Sequence, residues 1–107
     1  MKKISSKTEF DAELSAGDRA ALFYSPWCPF CSMFMPAFEK EAGRDPRFIA
    51  VSVDDVPELE DKFSVDVVPT VIIFSGGRTA ARLDGALGRG LNAAQLAEFV
   101  ARRLPRK

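Results

Sequence analysis

Cys28 and Cys31, the only two cysteines, stand three positions apart in Trp27-Cys28-Pro29-Phe30-Cys31, together with the only tryptophan. No other feature constrains the fold as much. Residues three apart share a face of a helix, which brings two sulfurs close enough to bond or to act as a dithiol. Just before the motif, the apolar run Ala20-Ala21-Leu22-Phe23-Tyr24 ends at Ser25-Pro26. Just after it, Phe30, Phe34, Ala37, Phe38 and Ala42 recur at helical spacing. The cysteines therefore fall where a strand hands over to a helix, with redox cycling and metal binding as the two chemistries their spacing allows.

Two sulfurs fill half of a tetrahedral zinc or iron-sulfur shell, and the chain has no histidine. A metal would need a second chain or external thiols, so none is expected. The missing histidine also excludes a Cys-His nucleophilic pair. Fifteen basic and fifteen acidic side chains cancel without a long run of either sign. That balance gives no basis for binding nucleic acid or an anionic membrane. The N-terminus, Met1 to Lys7, has basic residues but no apolar stretch, and no later segment is long enough to span a bilayer. A cytoplasmic monomer of one domain, residues 1–107, is the expectation. In a reducing compartment a cysteine pair that closes so short a loop is expected to react rather than to brace the fold.

Local signals set the remaining elements. Ser6 with Glu9 is a capping box for a helix over 7–16, stopped by Gly17. Pro29 takes a first helical position, where its missing N–H costs nothing, whereas Pro36 falls mid-helix and should bend the axis. The run 48–53 reads as a second strand and 58–63 as a short helix. Pro69 stands at the mouth of the apolar run 67–74, and Ser75-Gly76-Gly77-Arg78 turns it into an edge strand over 79–83. Asn92 with Gln95 caps a last helix whose Leu96, Phe99, Val100 and Leu104 face inward. Alternation followed by a hairpin specifies an α/β fold: a mixed sheet of four to five strands between helical layers.

In that order, the chain resembles the thioredoxin family over nearly its whole length. The match comprises the Trp-Cys-x-x-Cys motif at 27–31, Pro36, the segment Val68-Pro69-Thr70, the turn Ser75-Gly76-Gly77 and Gly85-Ala86. The resemblance implies the thioredoxin fold, a cis-proline at Pro69 opposite the cysteines, and thiol-disulfide exchange without a bound cofactor. It further implies a substrate groove formed by Trp27, Pro29, Phe30, Val68, Pro69, Thr70, Gly85 and Ala86. The implied partners are protein disulfides and an electron donor that is either a thioredoxin reductase or glutathione. A glutaredoxin-like, glutathione-linked reductase and a non-catalytic binding module of the same fold are the alternatives.

Two positions depart from the pattern. The family's buried aspartate, six residues before the first cysteine, is Leu22 here, and its lysine partner is Ala50. Loss of both is consistent, since one charge alone is expensive to bury. Asp54 and Glu39 are the carboxylates considered for relaying protons instead. A cysteine at a helix N-terminus meets unpaired N–H groups that favour its thiolate, which makes Cys28 the nucleophile and Cys31 the resolving thiol.

Overall fold

The computed structural model describes residues 1–106. Local signals start the helices where they stand in the sequence. Ser6 Oγ accepts the Glu9 amide at 3.2 Å and opens α1, Lys7–Ala16, while the Glu9 carboxylate reaches back to the Ser5 amide and hydroxyl instead of completing the box at Ser6. Pro29 is the first residue of α2, Pro29–Ala42. Pro57 likewise leads α3, Pro57–Lys62, one residue earlier than the expected start at Glu58. The reciprocal Asn92–Gln95 box, both bonds 2.9 Å, caps α4, Ala93–Arg103.

The strands are β1 Lys2–Ile4, β2 Arg19–Tyr24, β3 Phe48–Ser52, β4 Thr70–Ser75 and β5 Arg78–Asp84. They form one sheet in the order β1-β3-β2-β4-β5, with β1, β3 and β2 parallel and β4 and β5 antiparallel. Strand β1 was not foreseen. It has three residues and only Ile4 is buried, so its pairing depends on the β3 edge rather than on any local pattern. Gly76 and Gly77, with φ of +61° and +76°, make the two-residue turn whose twist matches the β4–β5 hairpin.

Side chains alternate across a strand, so each interior strand feeds two cores. Ala20, Leu22, Val71 and Ile73 pack with Phe34 and Phe38 of α2 and with Leu96 and Phe99 of α4. Ala21, Phe23, Ile49, Val51, Ile72 and Phe74 pack on the other face with Phe10 of α1 and Leu59 of α3. Phe10 meets Phe74 edge-on with ring centroids 5.4 Å apart. The result is the expected mixed sheet, here of five strands, between two helical layers. The C-terminal end of β2, the N-terminus of α2 and the start of β4 are thereby carried to one edge of the molecule.

Candidate active site

The Cys28 amide donates to the Ser25 carbonyl at 3.2 Å, closing a turn with Pro26 at its second position, where a fixed φ suits it. That turn throws Trp27 outward, 85% exposed. Cys28 then caps α2 in extended conformation without a side-chain bond to the helix amides. Its thiol donates instead to the Val68 carbonyl at 3.6 Å, across the gap to the α3–β4 loop. The Val68–Pro69 bond is cis. The structure thus brings Cys28, Val68 and Pro69 together.

Cys31, one turn along α2, is 1% exposed, and both cysteines are free thiols. Burial pushes the Cys31 thiol up to about 12, a backbone hydrogen bond from Ser25 partly offsets this, and the hydrogen bond and charge of Cys28 add to it. The sign of the pH dependence follows. Folded Cys31 keeps its proton well above about 8.5, where a thiol in the unfolded chain loses it. The reduced protein should therefore hold its full stability below that pH and lose it progressively as pH rises toward 12, by at most about 1.4 kcal/mol per pH unit. Urea unfolding between pH 8 and 10.5 checks this: the reduced wild type should lose stability more steeply than Cys31→Ser or the oxidised protein, and equal slopes would contradict it.

The remaining groove residues take two walls. On one, Thr70 is buried, its hydroxyl donating to the Val67 carbonyl at 2.6 Å and accepting from the Gly85 amide at 3.4 Å. A methyl at Gly85 would lie 2.2 Å from the Pro69 carbonyl oxygen, so only glycine lets β5 pass the proline. Gly85→Ala must displace one backbone segment, and it should cost about 2–3 kcal/mol, near the upper end of overpacking penalties. A urea midpoint equal to that of the wild type would show that the contact is slack.

The other wall is built on Phe30. Its ring lies over Gly90, where a methyl would come within 2.9 Å of the Phe30 Cβ, and Gly90 has φ +70°. Ala86 and Gly90 exchange backbone hydrogen bonds of 3.2 and 2.8 Å, which presents Leu87 at the tip, 88% exposed. Pro29 and Ala86 are exposed beside it. Phe34 and Phe38, by contrast, belong to the core, as their spacing indicated.

Leu22 pairs with Ala50 in the β2–β3 register, so the two departures are cross-strand neighbours, both fully buried. Among the described residues the only buried polar side chains are Ser52 and Thr70, and no three metal-ligating side chains cluster. Asp54 is exposed and accepts from Ser25 Oγ at 3.4 Å, which also accepts the Trp27 amide at 3.3 Å. Glu39, eight residues beyond Cys31, is about 12 Å away along the helix and does not join the site. Two neighbours were missed. Ser25 serves through its backbone, which no residue pattern reveals, and Tyr24 has its phenol held above the ordinary range by burial and by the charges of Asp55 and Cys31. A surface depression of about 670 Å³ lies at the far end of β4 beside Gly76 and Gly77 and contains no cysteine.

Comparison with known proteins agrees with this geometry. The thioredoxin family model matches residues 1–102. Thioredoxin-2 of Saccharomyces cerevisiae is 34% identical over 88 residues, which span 78% of this chain and 85% of the yeast protein. A bifunctional thioredoxin reductase/thioredoxin of Mycobacterium leprae is 31% identical over 96 residues, 85% of this chain and 21% of that one. The structure of Plasmodium falciparum thioredoxin superposes with a TM-score of 0.85 at 26% identity, covering 95% of this chain and 98% of that one. With the fold, the family match and a cysteine pair placed for dithiol chemistry in agreement, the chain belongs to the thioredoxin family and is a thiol-disulfide oxidoreductase.

Proposed function

We propose that the protein reduces disulfides of other proteins, with Cys28 as nucleophile and Cys31 as resolving thiol. The observation that carries this reading is the position of Cys28: at the cap of α2, its sulfur 3.6 Å from the carbonyl of Val68, next to the cis-proline. Once the Cys28 proton leaves, its thiolate lies at the positive end of α2. It attacks one sulfur of the substrate disulfide. That S–S bond breaks, a Cys28–substrate disulfide forms, and the other substrate sulfur leaves as a thiolate and takes up a proton. Cys31 then gives up its proton and attacks the Cys28 sulfur. The Cys28–substrate bond breaks as the Cys28–Cys31 disulfide forms, the second substrate sulfur leaves as a thiolate and takes up a proton, and two electrons have passed from the dithiol to the substrate.

An extended substrate segment lies along the backbone of Val68 and Pro69, which Thr70 and Gly85 hold in place. Trp27, Pro29, Phe30 and Ala86 flank it. The protein works as a cytoplasmic monomer of one domain, residues 1–107, using no cofactor beyond its own cysteines. Among the described residues no helix is long and apolar enough to cross a membrane. Its electron donor is a flavin-dependent thioredoxin reductase, in keeping with the mycobacterial relative whose name joins that enzyme to a thioredoxin.

Insulin reduction separates this reading from its rivals. The expected result is turnover with NADPH and a thioredoxin reductase, and none with glutathione as sole donor. Turnover with glutathione alone would make the protein a glutaredoxin-like reductase. No turnover with either, together with partner binding that survives Cys28→Ser, would leave a binding module.

A further inference from the structure

The α3–β4 loop carries Val68 and Pro69, and a side chain from the sheet edge fixes where it starts. The Arg82 guanidinium, on β5, donates through Nη1 to the Phe63 carbonyl at 2.5 Å and through Nη2 to the Ser64 carbonyl at 3.3 Å. Asp84, two residues along the same strand face, orients it by accepting from Nη2 at 2.7 Å and from Nε at 3.3 Å. Ser64 is the one described non-glycine residue with positive φ, +52°, and there the chain turns out of α3 toward the proline. A cation on the terminal carbonyls of a helix is favoured by their partial negative charge, and the flat guanidinium can bridge two carbonyls and a carboxylate at once. Thr70 holds the other end of the loop through the Val67 carbonyl. Val68, whose carbonyl accepts from Cys28, lies between the two anchors.

Resting on the reductase reading, we propose that Arg82 is a positioning residue: by fixing the exit of α3 it sets the register in which the Val68 backbone receives a substrate strand. It contacts neither sulfur, so its loss should weaken the binding of extended protein substrates and leave the reactivity of Cys28 toward small reagents intact. The test is Arg82→Ala, compared with wild type in insulin reduction and in alkylation of Cys28 by iodoacetamide, which needs no groove. KM for insulin should rise about fivefold with kcat within about twofold, and the alkylation rate should stay unchanged. Arg82→Lys should recover only part of the loss, because an ammonium cannot reproduce the bridging geometry. An unchanged KM, or alkylation that slows together with turnover, overturns the proposal.

If Arg82→Ala does not fold, Arg82→Gln replaces it, read by amide hydrogen exchange at Ser64 and Val65, whose amides donate to the Asp61 and Glu60 carbonyls at the exit of α3. Exchange there should speed at least about tenfold, and unchanged exchange overturns the proposal equally. If the wild type fails to reduce insulin, the reductase reading fails on its own, and the exchange measurement alone decides the role of Arg82.

Discussion

Replacing Cys28 with serine should lower the rate of exchange with a protein disulfide at least about 1,000-fold, equivalent to roughly 4 kcal/mol of barrier, because a hydroxyl does not ionise near neutral pH to supply the attacking anion. Cys31→Ser should behave differently. Cys28 remains half-buried at the cap of α2 and can still attack, but nothing beneath it can release the product, so a covalent complex with the substrate accumulates until an external thiol is added. Non-reducing electrophoresis distinguishes the two: a substrate adduct with Cys31→Ser and none with Cys28→Ser. An adduct through Cys31 in the Cys28→Ser protein would invert the proposed roles, contrary to a sulfur that is 1% exposed.

The second large effect concerns the missing charged pair. Leu22 lies in the core beneath α2 and α4, fully buried, with Ala50 beside it on β3. Leu22→Asp alone would remove an apolar side chain from that core and leave a carboxylate with no cation, a destabilisation of about 4 kcal/mol or more. Against a total of about 5–15 kcal/mol for a domain, this threatens folding. Adding Ala50→Lys supplies a partner at the adjacent position, so the double variant should be less destabilised than the sum of the singles by about 1–3 kcal/mol. A Leu22→Asp protein as stable as the wild type would mean that the site is wetter than its burial implies. The same substitutions bear on mechanism. With no buried carboxylate among the described residues, the Cys31 proton leaves without the nearby acceptor that the family pattern supplies.

What the sequence revealed, and what it hid, divides along the range of the interactions. The caps at Ser6 and Asn92, the start of α2 at Pro29 and the Gly76-Gly77 turn are fixed by residues within a few positions of one another, and each could be read directly. That β2 and β4 are buried between helical layers followed from their unbroken apolar runs, 20–24 and 71–74. Strand β1 could not be read, because Lys2 and Lys3 are exposed and the strand exists only by pairing with β3. At the site, Cys28 and Cys31 were legible as a pair, and the cis bond before Pro69 was implied by resemblance. The contacts of Phe30 with Gly90, of Gly85 with Pro69 and of Arg82 with Phe63 and Ser64 were not legible. They join residues 16 to 60 positions apart along the numbering, and each depends on a backbone approach that residue type alone does not specify.

As a protein-disulfide reductase, the protein should hold its Cys28–Cys31 couple at a reducing potential. No histidine exists to stabilise a thiolate, and burial keeps the Cys31 thiol protonated, so the reduced form has little of the extra stabilisation that strong oxidants depend on. Equilibration with glutathione buffers of known poise, followed by quantifying the dithiol and disulfide forms, gives the potential directly. The expected value is near about −270 mV, the range of thioredoxins, and a value of about −180 mV or above, the range of disulfide isomerases and oxidants, would contradict it.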